Sequence, residues 1–153
     1  MAVRDFEQLW DRHHRRVHAY ALRRTDPASA QDVVSETFLV AWRRRAELPA
    51  DELPWLLGVA RLLMANRART HPDPAEADHE VRRALAALQP DDREALILVG
   101  WDRLRPAEAA LVVGCSPPVF RMRLFRARRR LAAELRREAD LGTILIAETR
   151  VDR

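Results

Sequence analysis

Between residues 117 and 131 the apolar positions Phe120, Leu124, Ala127 and Leu131 recur every third or fourth residue, while Pro118, Arg121, Met122, Phe125 and Arg129 fall between them. That period predicts a helix with one buried stripe and one exposed face. Pro117 and Pro118 suit its first turn, where a missing N–H is no loss. Ahead of it, residues 106–113 read as a shorter helix with Ala109 and Ala110 on the side that meets its successor. Gly114 ends that helix, because glycine reaches positive φ without steric cost. Ala110, Gly114 and Phe120 thus fall where a helix-turn-helix needs a small contact, a turn and a core anchor.

The same periodicity organises the rest. Residues 5–24 form a first helix with Phe6, Leu9, Trp10, Val17, Tyr20 and Ala21 on one side. Asp26 is a good N-cap and Pro27 a good first residue for a second helix reaching about residue 45, whose core stripe is Val34, Phe38, Ala41 and Trp42. Residues 46–53 read as a loop, and Pro54 opens a third helix that is apolar on more than one side, hence largely buried or partly covered by a partner. Two prolines at alternating positions, Pro72 and Pro74, break the helical pattern. A fourth helix spans 76–88 with Val81, Leu85 and Leu88, and a fifth 92–102 with Leu96, Ile97, Val99 and Trp101. Leu141-Gly142 is expected to end the last helix, leaving an apolar tail that packs on something. The expected fold is all-α: two small helical domains, 1–70 and 79–138, joined by a short linker, 71–78, the second containing the helix-turn-helix. Residues 139–153 form a tail of unassigned role.

Composition narrows the function. A chain of 153 residues holds one ordinary domain or two small ones. No apolar run approaches the roughly 18 residues that span a bilayer, and the charged N-terminus lacks a signal-peptide pattern, so no membrane insertion is expected. The single cysteine, Cys115, excludes an internal disulfide and fits a reducing cytoplasm. Charge is polarised along the second half: residues 71–120 carry five arginines against nine acids, whereas residues 121–137 carry eight arginines against Glu134 alone. A charge run by itself is most often a solvated helix face; behind a helix-turn-helix it points to nucleic acid. His14 and His18 are four apart, but no third ligand follows at suitable spacing, so they read as structural or solvent histidines. With no nucleophile-base pair, phosphate loop or metal set, neither catalysis nor a cofactor is expected, and Cys115 reads as a small core-facing residue.

The order of these features resembles the extracytoplasmic-function sigma factors, small two-domain members of the sigma-70 family of bacterial RNA polymerase specificity subunits. The stretch Asp32-Val33-Val34-Ser35-Glu36-Thr37-Phe38-Leu39-Val40-Ala41-Trp42 is similar to the family's most recognisable segment, and Pro54-Trp55-Leu56-Leu57-Gly58-Val59-Ala60-Arg61 to the next. In the second domain Arg93, Leu96, Glu108-Ala109-Ala110 and Gly114-Cys115-Ser116 echo the promoter-reading region, and residues 121–128 match its recognition helix. The resemblance implies a sigma region 2 over 1–70 and a sigma region 4 over 79–138, with core RNA polymerase, promoter DNA and a restraining anti-sigma protein as partners. It places polymerase binding on Asp32, Glu36, Phe38 and Trp42. It places the minus-ten element on Trp55, Arg61, Asn66, Arg67 and Arg69, and the minus-thirty-five element on Pro118, Val119, Arg121, Met122, Arg123, Phe125, Arg126 and Arg128.

Spacing and charge add roles to those assignments. Asp32 and Glu36 share a helix face and can meet basic groups of a partner together, although plain surface acids would look the same. Arg121, near the helix start, has the reach to pair with guanine O6 and N7, while Arg123, Arg126 and Arg128 are better placed for phosphates. Trp55 offers a stacking surface for an extruded base, or is simply core. Leu62 stands where many members carry asparagine, Asn66 where they often carry aspartate, and Val119 and Met122 replace the usual threonine and serine, which implies an altered base preference. Two competing readings remain at this level: a helix-turn-helix regulator independent of polymerase, and a sigma-like adaptor that has lost DNA binding.

Overall fold

Asp26 shows how directly the chain turns sequence into structure: its carboxylate accepts from the Ser29 backbone N–H at 2.9 Å and from the Ser29 hydroxyl at 2.7 Å, capping a helix whose first residue is Pro27. A computed structural model describes residues 3–65 and 72–151. Among them are α1 (Val3–Leu22), α2 (Pro27–Arg43), a 3-10 turn (Arg45–Glu47), α3 (Glu52–Ala65), α4 (His79–Ala86), α5 (Pro90–Gly100), α6 (Pro106–Val113) and α7 (Pro117–Val151). No strand occurs among the described residues. The architecture is all-α, as the periodicity predicts.

Helices α1, α2 and α3 pack on one another around Leu9, Val17, Tyr20, Val33, Phe38, Leu56 and Leu57. Helix α7 gathers α4, α5 and α6 around Leu85, Leu98, Ala109, Ala110, Phe120, Leu124 and Ala127. The predicted stripe of α7 is therefore the buried one, with Leu131 half-buried at its end. Helix α3 is apolar on more than one side because it serves two neighbours: α1 and α2 on one flank, α6 on the other. The partner that covers it is thus partly the chain's own second half.

Several helix ends differ from expectation. Helix α3 starts at Glu52, two residues before Pro54, since the first-turn N–H groups have no intrahelical partner and proline is tolerated there. Glu52 is also pinned by α1: Arg12 donates to its two oxygens at 3.0 and 2.9 Å and His13 Nε2 lies 2.9 Å away. Helix α5 starts at Pro90 rather than residue 92. Helix α4 starts only at His79, because residues 72–78 are engaged elsewhere: the Asp73 N–H donates to Arg23 O at 2.7 Å and Glu76 accepts from Arg23 Nε at 2.9 Å. The end of α4 is tied by Arg93, whose buried guanidinium donates to the carbonyls of Leu85, Ala86 and Leu88 at 2.9 to 3.0 Å.

The largest correction concerns the C-terminus. Leu141-Gly142 does not end the last helix; α7 runs 35 residues, through Gly142 to Val151. A glycine inside a helix is about 1 kcal/mol worse than alanine, and without a left-handed turn or a following proline that is too little to end a helix already propagating. The expected tail is the continuation of the recognition helix, about 52 Å long in all at 1.5 Å per residue.

The two halves are also joined by buried charge. Arg24, 6% exposed, donates to Glu94 at 3.0 Å, to Asp102 at 3.0 Å and to its own helix end at Tyr20 O, 2.9 Å, and its guanidinium lies 3.7 Å from the Tyr20 ring centre. Burial works against this charge, but Glu94, Tyr20 and Asp102 outweigh it and hold the guanidinium above its ordinary pKa.

Candidate nucleic-acid interface

The turn between α6 and α7 is built as the sequence demands. Gly114 takes φ 76°, and the N–H groups of Gly114 and Cys115 both return to Ala110 O, at 2.9 and 3.0 Å. Ser116 then opens α7, its hydroxyl accepting from the Val119 N–H at 3.4 Å and its carbonyl from the Phe120 N–H at 3.0 Å. Cys115 is half-buried against the core. At the other end of α6, Arg105 and Glu108 satisfy each other, the Arg105 backbone N–H donating at 3.1 Å and its Nε at 2.9 Å. With both ends of α6 fixed and Phe120 fully buried, the first turns of α7 are held rigidly.

Those turns present every residue expected to read the upstream element on the solvent side. Pro118, Val119, Arg121, Met122, Phe125, Arg126 and Arg128 are exposed and Arg123 is half-buried. Val119, Met122 and Phe125 are more than half exposed, which is uncommon for apolar side chains unless a partner covers them. Helical geometry puts Pro118, Met122, Phe125 and Arg129 along the crest, with Arg121 and Arg128 on one flank and Val119, Arg123 and Arg126 on the other. The Arg129 guanidinium sits 5.8 Å from the Phe125 ring centre. Arg130 differs from its neighbours: it forms an ion pair with buried Asp92 of α5, so its charge serves the fold. The sequence counted it with the other arginines and had no signal for that pairing.

In the first module, Asp32 is exposed and Glu36 half-buried, one turn apart on the outer face of α2. Phe38, expected among the polymerase-binding residues, is 2% exposed, with the Trp10 ring 4.7 Å away and the Phe6 ring 6.3 Å away; it shapes the face from behind. Trp42 is half-buried against Phe6 and carries Arg45 over its ring at 4.2 Å. Leu39, not singled out in the sequence, is 48% exposed beside Glu36; its place outside the Val34, Phe38 and Ala41 stripe was the available signal.

Trp55 and Arg61 line a cleft between α3 and α6, with Arg44, Val59, Leu62 and Leu111 also in its walls. Trp55 is half-buried, whereas Arg61 and Leu62 are exposed. Asn66, Arg67 and Arg69 lie outside the described residues. His14 is held by Trp10, its ring stacked at 4.9 Å and its Nδ1 2.7 Å from Trp10 O. No group of three or more ligands able to hold a metal occurs among the described residues, and no helix among them is long and apolar enough to cross a membrane.

Comparison with known proteins bears on both modules. Residues 9–72 match the family model Sigma-70 region 2, and residues 78–131 match Sigma-70, region 4. The chain is similar to a probable RNA polymerase sigma factor, RfaY, of Xanthomonas campestris, with 34% identity over 144 residues, 75% of this chain and 36% of that protein. The chain therefore spans about a third of that relative's length. It is also similar to the ECF RNA polymerase sigma factor SigC of Mycobacterium tuberculosis, with 33% identity over 72% of each chain. Among solved structures, the sigma factor RpoE in complex with the anti-sigma factor NepR from Bartonella quintana matches with TM-score 0.66 and 26% identity, covering 88% of this chain and 98% of that one.

Proposed function

The chain belongs to the extracytoplasmic-function sigma factors of RNA polymerase, and from that premise we propose how its exposed faces divide the work of promoter recognition. Helix α2 docks on core polymerase through Asp32, Glu36 and the exposed Leu39, with Phe38 and Trp42 setting the face behind them. Trp55 and Arg61, at the cleft edge of α3, engage the minus-ten element as it opens, together with Asn66, Arg67 and Arg69. Trp55 offers the aromatic surface that an unstacked base needs. Helix α7 enters the major groove at the minus-thirty-five element. There Arg121 reads a guanine edge, Met122 and Phe125 meet thymine methyls, and Arg123, Arg126 and Arg128 bind phosphates.

The protein performs no catalysis of its own; it supplies specificity to an enzyme that does. Its place of work is the cytoplasm, where polymerase and promoter are. A small anti-sigma protein restrains it, a reading supported by the likeness to a sigma factor solved with one.

The observation that carries the proposal is the solvent-facing crest of α7, arginine-flanked and apolar, behind a helix-turn-helix turn on a chain whose other module bears an acid-and-leucine face. Promoter-directed transcription with purified core polymerase tests it. Wild type initiates at a defined start site. Arg121→Ala loses about 1–3 kcal/mol of discrimination at a single base position of the upstream element, and Glu36→Arg weakens binding to core. A chain that shifts a promoter fragment but never initiates is instead a helix-turn-helix regulator, and one that binds core without selecting any promoter is an adaptor.

A further inference from the structure

Four arginines, Arg15, Arg16, Arg23 and Arg103, border a cavity of about 360 Å³ beside α1 and the turn that leaves α5, against two acids, Glu76 and Asp102. Both acids are already committed. Arg23 donates to Asp102 Oδ1 at 2.7 Å and to Glu76 at 2.9 Å, and the other oxygen of Asp102 takes Arg24 at 3.0 Å. Arg16 donates to neutral groups, the carbonyls of Asp102 at 2.7 Å and Arg103 at 3.4 Å. Glu108, which feels the charge of Arg16, is held by Arg105 at 2.9 Å. Arg15 and Arg103 are exposed and form no ion pair among the described residues. The cavity therefore carries positive charge that the chain does not answer.

The backbone at its rim adds a second observation. The N–H groups of Trp101 and Asp102 both return to Ile97 O at 2.9 Å, and the Leu104 N–H to Leu98 O at 3.0 Å, so α5 ends in a turn whose left-handed position, φ 58°, falls to Arg103. Glycine makes such a turn without steric cost, and arginine does not. The turn gains nothing from the arginine side chain, which instead lines the cavity. Strained positions of this kind cluster at ligand clamps. Trp101, half-buried, supplies an aromatic wall beside the guanidinium groups. None of these residues belongs to the faces assigned above to promoter or polymerase.

Guanidinium forks pair with the oxygens of phosphate, and several forks around one space suit an anion with several phosphates. An indole beside them suits a planar base. The volume lies near the lower end of small-molecule sites, which begin at about 300 Å³. We propose that this cavity binds an oligophosphate, the di- or triphosphate tail of a nucleotide, with Arg15, Arg16 and Arg103 on the phosphates and Trp101 against the base. It is a ligand site in addition to the promoter-reading surfaces, and it holds whether or not those assignments do.

The test titrates the full-length chain with tripolyphosphate and, separately, with ATP, by calorimetry, beside Arg103→Gly, Arg16→Gln and Trp101→Ala. Arg136→Ala, an equally exposed arginine far along α7, is the control for loss of charge alone. Wild type binds one molecule per chain. Arg103→Gly and Arg16→Gln each weaken binding about tenfold or more, as loss of a charged hydrogen bond does, while Arg136→Ala leaves it unchanged. Arg103→Gly also melts no lower than wild type, because glycine relieves the turn, so its loss of affinity is not a loss of fold. ATP binds more tightly than tripolyphosphate, and Trp101→Ala removes that difference. Equal affinity for the two ligands overturns the nucleotide and leaves free oligophosphate as the occupant. No binding to wild type, several weak molecules per chain, or an Arg136→Ala loss as large as that of Arg103→Gly overturns the site. Should Arg16→Gln lose helicity, Arg103→Gly decides: a folded variant with wild-type affinity overturns the proposal.

Discussion

Phe38 and Leu39 are neighbours on α2 with opposite fates, and they separate two roles that one sequence motif runs together. Phe38 is buried against Phe6 and Trp10, so Phe38→Ala should cost about 3–5 kcal/mol in stability, as cavity-forming core truncations do. Leu39 faces solvent, and Leu39→Ala should leave unfolding within about 0.5 kcal/mol while weakening core polymerase binding. Urea denaturation beside a polymerase titration checks both. Arg93 makes a comparable point in the second module. It lies in the stretch that resembles the family's promoter-reading region, and its three carbonyl contacts tie down the end of α4. Arg93→Ala should destabilise by about 1–3 kcal/mol, because buried carbonyls are left without donors, and should do so without changing which bases are read.

Glycine gives a sharp contrast between elements. Gly114 sits at φ 76° in the turn, where alanine should cost about 1–2 kcal/mol. Gly142 lies inside α7 with open space where a Cβ would go, so Gly142→Ala should stabilise by up to about 1 kcal/mol. Had α7 ended at Gly142, the second substitution would be neutral or harmful; thermal melts of the two variants decide. The helix-turn-helix was legible in the sequence because its determinants are local: a small residue, a glycine and an aromatic anchor within eleven positions, 110 to 120. The stripes of α2 and α7 were legible for the same reason. The starts of α3 and α4 were not, since Glu52 and Glu76 are fixed by Arg12 and Arg23, residues 40 and 53 positions away. Nor was the buried charge that joins the two halves, Arg23 and Arg24 with Glu94 and Asp102, whose partners are 70 to 79 positions apart and look in sequence like any surface arginines and acids.

For the whole molecule, acid is the condition that should loosen what charge holds together. The Asp73 carboxyl is drawn below its ordinary pKa by the hydrogen bond from Arg82. In Glu76 burial acts the other way, but its own backbone N–H and Arg23 prevail and the value again falls. A lowered carboxylate contributes stability that is complete above its unfolded pKa of about 4 and is lost as pH drops through the folded value. The melting temperature should therefore stay level from pH 8 to about 5 and fall below that. Salt acts on the other face. Arg126→Ala or Arg128→Ala should weaken binding to all promoters alike and reduce the slope of log affinity against log salt by about 1. The uninterrupted α7 adds a mechanical consequence. Arg83 grips it at Glu138, and thirteen further residues, 139–151, extend the same rod by about 20 Å. With no hinge at residue 142, the segment beyond Glu138 keeps the bearing of the turns before it, so its position is fixed by where the second module sits.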